Sequence, residues 1–373
     1  MKRQVEGIKK IIVKVGSTNL CDTNGVINKQ KILNIVEQLA YLRDKGYEVV
    51  LVSSGAVAAG MGAMNLKSKP STIPQKQALA AIGQAKLMEI YEELFDIFGI
   101  KCSQILLNLD DFDDRKRLLN LFHTMNALVD YGVIPIINEN DALAVDEIKV
   151  GDNDTLAALL VPVVEAQLLI LVSDIDGLYT DDPRVDPDAQ FLSFVEKVDH
   201  KVMSYAGDTG SNIGTGGMGT KLNAAKIVNA YGSHMCIVNG NKPNSIINAL
   251  KDEGTWFNGD QDRKLKARTH WIAYRSRTRG KVVVDDGCKK ALLERHTSLL
   301  PKGIIGVLGD FRRGQVVAIV DKDEHLLGRG VVNYSSEEIR LIKGKKTSEI
   351  MDILHHKDYD EVIHANNIVI YPE

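Results

Sequence analysis

The sequence has no apolar run approaching the ~18 consecutive residues that a bilayer-spanning helix requires, so no membrane association is expected of its 373 residues. Its opening, MKRQVEGIKKIIVKVG, is basic but charged inside and lacks a small-residue cleavage site, which argues against a secretory signal peptide. Cysteines are few, and Cys21, Cys102, Cys236 and Cys288 have no paired spacing. That excludes a disulfide scaffold and predicts free thiols in a reducing cytoplasm. No internal repeat or low-complexity tract occurs, and none of the nine histidines has metal-site spacing; His355-His356 reads as a surface pair. Apolar residues at 44% and charged residues at 25% exclude a mainly disordered or fibrous chain.

What is present begins with length. Domains run to roughly 100–200 residues, and single cores seldom grow past about 250–300, so two domains are expected. The net charge of −3 hides a step. Residues 1–260 carry 25 basic and 33 acidic side chains, whereas 261–373 carry 21 and 16. Within 263–281 there are eight basic residues and no acidic one. This is either a solvated linker or a nucleic-acid footprint, with Trp271 and Tyr274 as its only aromatics.

The first 250 residues alternate β-branched runs with helical patterns. The runs are Ile11 to Val15, Glu48 to Ser53, Lys101 to Leu107, Val133 to Asn138, Leu168 to Ser173 and His234 to Val238. Leu87, Ile90, Tyr91, Leu94 and Phe98 keep helical spacing with Glu89, Glu92, Glu93 and Asp96 opposite, ahead of Gly99. Strands separated by helices predict an α/β three-layer sandwich with a mainly parallel sheet. From Lys281 the texture becomes short strands between glycine turns, with a helical stretch at Lys289 to Arg295. That predicts a small β-barrel of roughly 70–80 residues.

Ligands of open parallel sheets bind beyond the carboxyl ends of the strands. Four such ends are small and polar: Lys14-Val15-Gly16-Ser17-Thr18, Ser53-Ser54-Gly55-Ala56, Asn138-Glu139-Asn140-Asp141 and Ser173-Asp174. The stretch from Gly210 to Lys221 has GxGxxG spacing at Gly214, Gly216 and Gly219 but follows no strand, and its Gly-Thr-Lys order is not a Walker A loop. A glycine loop entering a helix, with a lysine in its first turn, suits a polyphosphate. Lys14 and Lys221 could both serve a transferring phosphoryl group, with Asp174 holding them or helping to retain Mg²⁺. Asn153 or Asp154 reads as a helix cap. Together with Asp141 and Asp152 they also gather carboxylates and amides able to bind a zwitterionic acceptor.

The set VKVGST, VSSGAVAAG, PIINENDA, IKVGDND, VSDIDGLYTDDPR and GTGGMGTK resembles the amino acid kinase family over nearly all of residues 8–260, and SLLPKGI, GDF, GQVVAI and GRG resemble a PUA domain. The resemblance implies an amino acid kinase catalytic domain at 8–260, a basic linker at 261–280, a PUA-like domain at 281–356 and a C-terminal tail at 357–373. It implies ATP-dependent phosphorylation of the side-chain carboxylate of L-glutamate to L-glutamyl 5-phosphate, opening proline biosynthesis. Lys14 and Lys221 resemble the lysines that stabilise the phosphoryl group, and Asp174 the aspartate that organises them. Lys14, Ser173, Asp174, Thr215, Gly216, Gly217, Met218, Gly219, Thr220 and Lys221 match ATP-binding segments. Ser54, Asp141 and Asn153 match glutamate-binding positions, supported by Asn138, Asp152 and Asp154. Departures are Gly219 where serine is common, Ser173 where threonine is common, and Ser17-Thr18 in inverted order. MgATP, proline feedback inhibition and a homo-oligomer, dimer or tetramer, are further implications. Another acidic acceptor on the same fold, or RNA binding through the PUA-like domain, stays open as an alternative.

Overall fold

The computed structural model describes residues 3–66, 68, 70–143, 153–206, 217–259, 272–273, 278–295 and 297–371. Asp152, Thr215, Gly216 and most of the basic segment lie outside the described residues. The chain divides into two compact units, Met1–Lys264 and Leu265–Glu373.

In the first unit, β1 (Lys10–Val15), β2 (Glu48–Ser53), β4 (Ile134–Glu139), β5 (Leu168–Ser173) and β9 (His234–Asn239) coincide with the apolar runs, and β3 (Cys102–Leu107) lies at one edge. Between β5 and β9 run the short β6 (Leu178–Tyr179), β7 (Phe191–Leu192) and β8 (Phe194–Val195), and β10 (Thr255–Phe257) follows β9. The main sheet has the order β3-β4-β2-β1-β5-β9-β10-β8. All its pairings are parallel except β10 with β9. Strands such as LLILVS are apolar throughout because both faces of the sheet are covered.

One helical layer holds α1 (Lys29–Asp44) and α3 (Ile73–Asp96), with α2 (Ala56–Ala63) crossing α3. The short α4 (Leu109–Asp113) precedes α5 (Arg115–Asp130). The other layer holds α5, α6 (Asn153–Val164) and, after the one-turn α7 (His200–Ser204), α8 (Met218–Ala230). Asn28 caps α1 through Gln30 and Lys31, and Thr72 with Gln75 forms a capping box at α3. α6 is buried from Leu156 to Val164, as an all-apolar helix must be. After β9 comes the single turn α9 (Ser245–Asn248).

α2 and α3 cross with backbones in contact. A Cβ on Gly83 would sit 1.8 Å from the Ala56 carbonyl oxygen, and one on Gly60 would sit 2.0 Å from that of Leu79. No side chain fits at either position.

The second unit is a five-stranded sheet in the order β12-β11-β13-β14-β15. It comprises β11 (Lys281–Val284), β12 (Ile304–Leu308), β13 (Val316–Val320), β14 (Leu326–Val331) and β15 (Ile368–Ile370). Helices α10 (Asp286–Arg295), α11 (Ser336–Ile342) and α12 (Ile350–Leu354) accompany it, and Val282, Val317, Ile319, Leu292, Ile339 and Ile363 are among its core residues. Residues 357–371, which belong to the segment 357–373 read from sequence as a tail, are part of this fold. Ile368, Val369 and Ile370 pair antiparallel with β14, and Val362 and Ile363 are fully buried.

Candidate active site

The strand order places β1 at the switch point of the sheet, with β2 on one side and β5 on the other. The crevice beyond their carboxyl ends is where such a sheet binds ligands. Lys14 lies one residue before the end of β1, paired in register with Val52 and Leu171, and is buried. Lys221 is buried in the first turn of α8. α6 enters between them, and its second residue, Asp154, is fully buried.

These three side chains meet. Lys14 Nζ lies 2.5 Å from Asp154 Oδ1, and Lys221 Nζ lies 3.1 Å from Asp154 Oδ2. Burial pushes the Asp154 carboxyl up, but the two ammonium groups outweigh it and hold the carboxyl below its ordinary range. Together the three groups carry one net positive charge, out of water, where it acts strongly on an anion.

This corrects one sequence expectation. The carboxylate that gathers the lysines is Asp154, not Asp174. Asp174 is exposed beyond β5, and its Oδ1 accepts a hydrogen bond from Ser173 Oγ at 3.2 Å. Nor do Asn153 and Asp154 serve merely as caps. The signal was present in the sequence: a carboxylate opening a wholly apolar helix is carried into the core and must find cations there.

A second cluster lies at the ends of β2 and β4. Asn153 Nδ2 lies 2.8 Å from Ser54 Oγ, 3.0 Å from Asn138 Oδ1 and 3.2 Å from the Ser53 carbonyl. Asn138 Nδ2 donates to Gln84 Oε1 at 2.9 Å. Ser53 Oγ and the Tyr91 hydroxyl are 2.9 Å apart. Burial pushes the Tyr91 phenol well above its ordinary value, so it remains a neutral hydroxyl. Gly55, at φ +102°, supplies the left-handed turn from Ser54 into α2, which side chains rarely adopt. Next to this cluster, burial and then the charge of Asp141 push Glu139 up to about 7, and burial raises Asp141 as well.

Ser54, Asn138 and Asn153 are thus directly joined, whereas Asp141 enters through its charge on Glu139. Gly217, Met218, Gly219 and Thr220 form the start of α8, with the Thr220 hydroxyl donating to the Gly217 carbonyl at 2.7 Å. Sequence reasoning missed Gln84 and the polar role of Tyr91, and gave Glu139 no role beyond its place in a polar strand end. Tyr91 reads as one more apolar-face position of the helix at Leu87 to Phe98, Gln84 lies outside that pattern, and only burial of their polar groups distinguishes them.

Among the described residues, the one group of three side chains able to hold a metal ion is Asp321, Asp323 and His325 in the second unit. Asp321 there already accepts from Lys289 at 2.9 Å. In the first unit no such set exists among the described residues.

Cations gathered at the switch point of a parallel sheet suit a phosphoryl group, and the family that the chain matches makes it a phosphotransferase. The chain belongs to the amino acid kinase family, which it matches over residues 9–239, and residues 280–354 match the PUA domain. It is 48% identical over 364 residues to a protein named glutamate 5-kinase from Thermoanaerobacter sp. (strain X514), covering 97% of each chain. It is 43% identical to a glutamate 5-kinase from Carboxydothermus hydrogenoformans, covering 99% of this chain and 100% of that one. Among solved structures, carbamate kinase from Giardia lamblia bound to AMP-PNP matches at a TM-score of 0.49 and 16% identity, over 69% of this chain and 100% of that chain.

Proposed function

We infer that the chain transfers the γ-phosphoryl group of MgATP to the side-chain carboxylate of L-glutamate, giving L-glutamyl 5-phosphate, the first step of proline biosynthesis. The observation that carries this reading is the buried Lys14–Asp154–Lys221 cluster beside the Ser54–Asn153–Asn138 network. The names of relatives that match along 97% of both chains favour glutamate over another acidic acceptor or RNA.

The acceptor carboxylate, with a pKa near ~4.3, is ionised at neutral pH and needs no general base. Catalysis therefore rests on placing the reactants and on meeting charge on the transferring oxygens. Lys14 and Lys221 supply that charge, and Asp154 fixes their spacing. Ser173, Asp174, Thr215, Gly216 and the start of α8 from Gly217 to Thr220 hold the nucleotide, with Asp174 near its Mg²⁺.

In the acceptor subsite, Asp141 answers the ammonium group of glutamate, together with Asn153 Oδ1, which is buried without a hydrogen-bond partner among the described residues. The Ser54 hydroxyl accepts from Asn153, so its own proton is available to the α-carboxylate. Amides opening α2 face the same task.

The test is formation of glutamyl hydroxamate from ATP, Mg²⁺, glutamate and hydroxylamine, with aspartate and N-acetylglutamate as competing acceptors. Product from glutamate alone is expected, and none above a Lys14→Ala control would reject the reading. We further propose a first domain at 8–260 and a second that runs from 281 through β15, proline as feedback inhibitor, a homo-oligomer and a cytoplasmic location. The location fits four cysteines that are all free. Proline in the same assay, and light scattering on the purified protein, test the inhibition and the assembly.

A further inference from the structure

We propose that Gln84 is a positioning residue for the acceptor subsite, holding the Asn138 amide where it orients that of Asn153. The proposal rests on the acceptor reading given above.

Two backbone groups of unambiguous polarity fix the network. The N–H of Glu139 donates to Asn138 Oδ1 at 2.9 Å, and the Ser53 carbonyl accepts from Asn153 Nδ2 at 3.2 Å. Asn138 Oδ1 therefore faces Glu139 and Asn153, and its Nδ2 points the opposite way, to Gln84 Oε1. With its Nδ2 turned toward Ser53, Ser54 and Asn138, Asn153 has its Oδ1 on the other side, where an ammonium group can be met.

Gln84 is what lets Asn138 stay where this arrangement needs it. Asn138 is buried, so its Nδ2 needs an acceptor. Rotating the amide in place offers no relief, because it would set Nδ2 against the Glu139 N–H and Asn153 Nδ2, donor against donor. Without the Gln84 acceptor the side chain is instead drawn away toward water, which takes Oδ1 from Asn153 and releases it.

α3 is built to hold Gln84 at that height. The adjoining Gly83 lets α3 touch the first turn of α2, and Tyr91, two turns along, reaches Ser53. One helix thus supports both strand ends of the subsite.

The experiment measures kcat, KM for glutamate and KM for ATP in Gln84→Met, which keeps the volume but removes the acceptor, and in Gln84→Glu, which keeps an acceptor. Gln84→Met should raise KM for glutamate about tenfold or more while KM for ATP stays within about threefold. Gln84→Glu should return KM for glutamate to within about threefold of wild type. An unchanged KM for glutamate in Gln84→Met, or equal rises for both substrates, overturns the proposal, as does an equal defect in Gln84→Glu. If Gln84→Met does not fold, Gln84→Glu decides alone: near-normal KM for glutamate supports the role, and a tenfold rise overturns it. Wild-type protein that forms no hydroxamate defeats the glutamate reading instead. Gln84 is then tested by NMR of the Asn138 side-chain amide: slow proton exchange lost in Gln84→Met supports the role, and unchanged exchange overturns it.

Discussion

Lys14 Nζ sits 2.5 Å from Asp154 Oδ1, with both side chains out of water. Such a pair is strongly destabilised when one partner is removed, because the other charge stays buried. Asp154→Asn leaves two buried ammonium groups sharing a neutral amide. It should lower stability by about 3–5 kcal/mol and kcat by a factor on the order of 10²–10³. Asp174→Asn should leave stability unchanged and raise the Mg²⁺ concentration needed for half-maximal rate. Denaturant melts and initial rates of both variants decide this, and equal stability losses would count against the assignment. Because the Asp154 carboxyl lies below its ordinary value of 3.8, its stabilisation is present above that pH and lost as pH falls through the folded value. Acid unfolding of Asp154→Asn should lack that component.

Glu139, raised to about 7 by burial and by Asp141, makes acceptor binding depend on pH. Between pH 6 and 8 it ionises and adds negative charge where the glutamate ammonium binds, so KM for glutamate should fall as pH rises through 7. KM for ATP should not follow, and Glu139→Gln should flatten the profile. A wild-type KM for glutamate that is flat over this range would sink the argument. In the substrate-free protein the sign reverses. A carboxyl raised in the folded state gives stability that is complete below its unfolded value of 4.5 and lost as pH climbs toward 7, so thermal stability should decline over that window in wild type and less in Glu139→Gln.

Much of this was legible because strands with both faces covered must be apolar throughout. Ile11 to Val15 and Leu168 to Ser173 announced β1 and β5 nearly to the residue. Placing motifs at the carboxyl ends of those strands then brought Lys14, Ser54 and Asp141 to one edge of the sheet. What stayed hidden depends on which side chain faces which. Asp154 and Asp174 are both acidic residues near the carboxyl edge; the apolar run after Asp154 marks it as bound for the core, but that it meets both lysines there follows only from the path of α6. Gln84 and Tyr91 carry no local signature, since their partners Asn138 and Ser53 are more than thirty residues away in sequence. The strand at Ile368–Ile370 is three residues long and follows a polar stretch, so periodicity could not separate it from a tail.

Glycines differ sharply in what they permit. At Gly83 an added Cβ would overlap the Ala56 carbonyl oxygen at 1.8 Å, a backbone atom that cannot swing aside. At Gly219, in the first turn of α8, an added Cβ would meet nothing nearer than Ala206 Cβ at 3.9 Å. Gly83→Ala should therefore destabilise by about 3 kcal/mol or more through overpacking, whereas Gly219→Ala should stabilise by about 0.5–1 kcal/mol through helix propensity. Chemical denaturation of the pair tests both signs. Gly219→Ser should also keep activity, because the open space accepts the hydroxyl.

Removing residues 357–373 should unfold the second unit. The cut deletes β15 from its ladder with β14, exposing the edge at Gly328, Arg329 and Gly330. It also removes Val362 and Ile363, both fully buried, and the carbonyl of Tyr359 that accepts the hydrogen bond of the Tyr334 hydroxyl. Burying two such aliphatic side chains contributes roughly 1.5–3 kcal/mol each, a large share of what holds together a unit of this size. Limited proteolysis of the truncated protein should cut within β11 to β14, where the intact protein resists, and should leave the strands of the first unit uncut. Equal resistance after truncation would mean that β15 only decorates the sheet. A genuine tail would leave the melting curve unchanged, so calorimetry on the same two proteins gives a second answer: a lost or lowered transition in the truncated chain is expected.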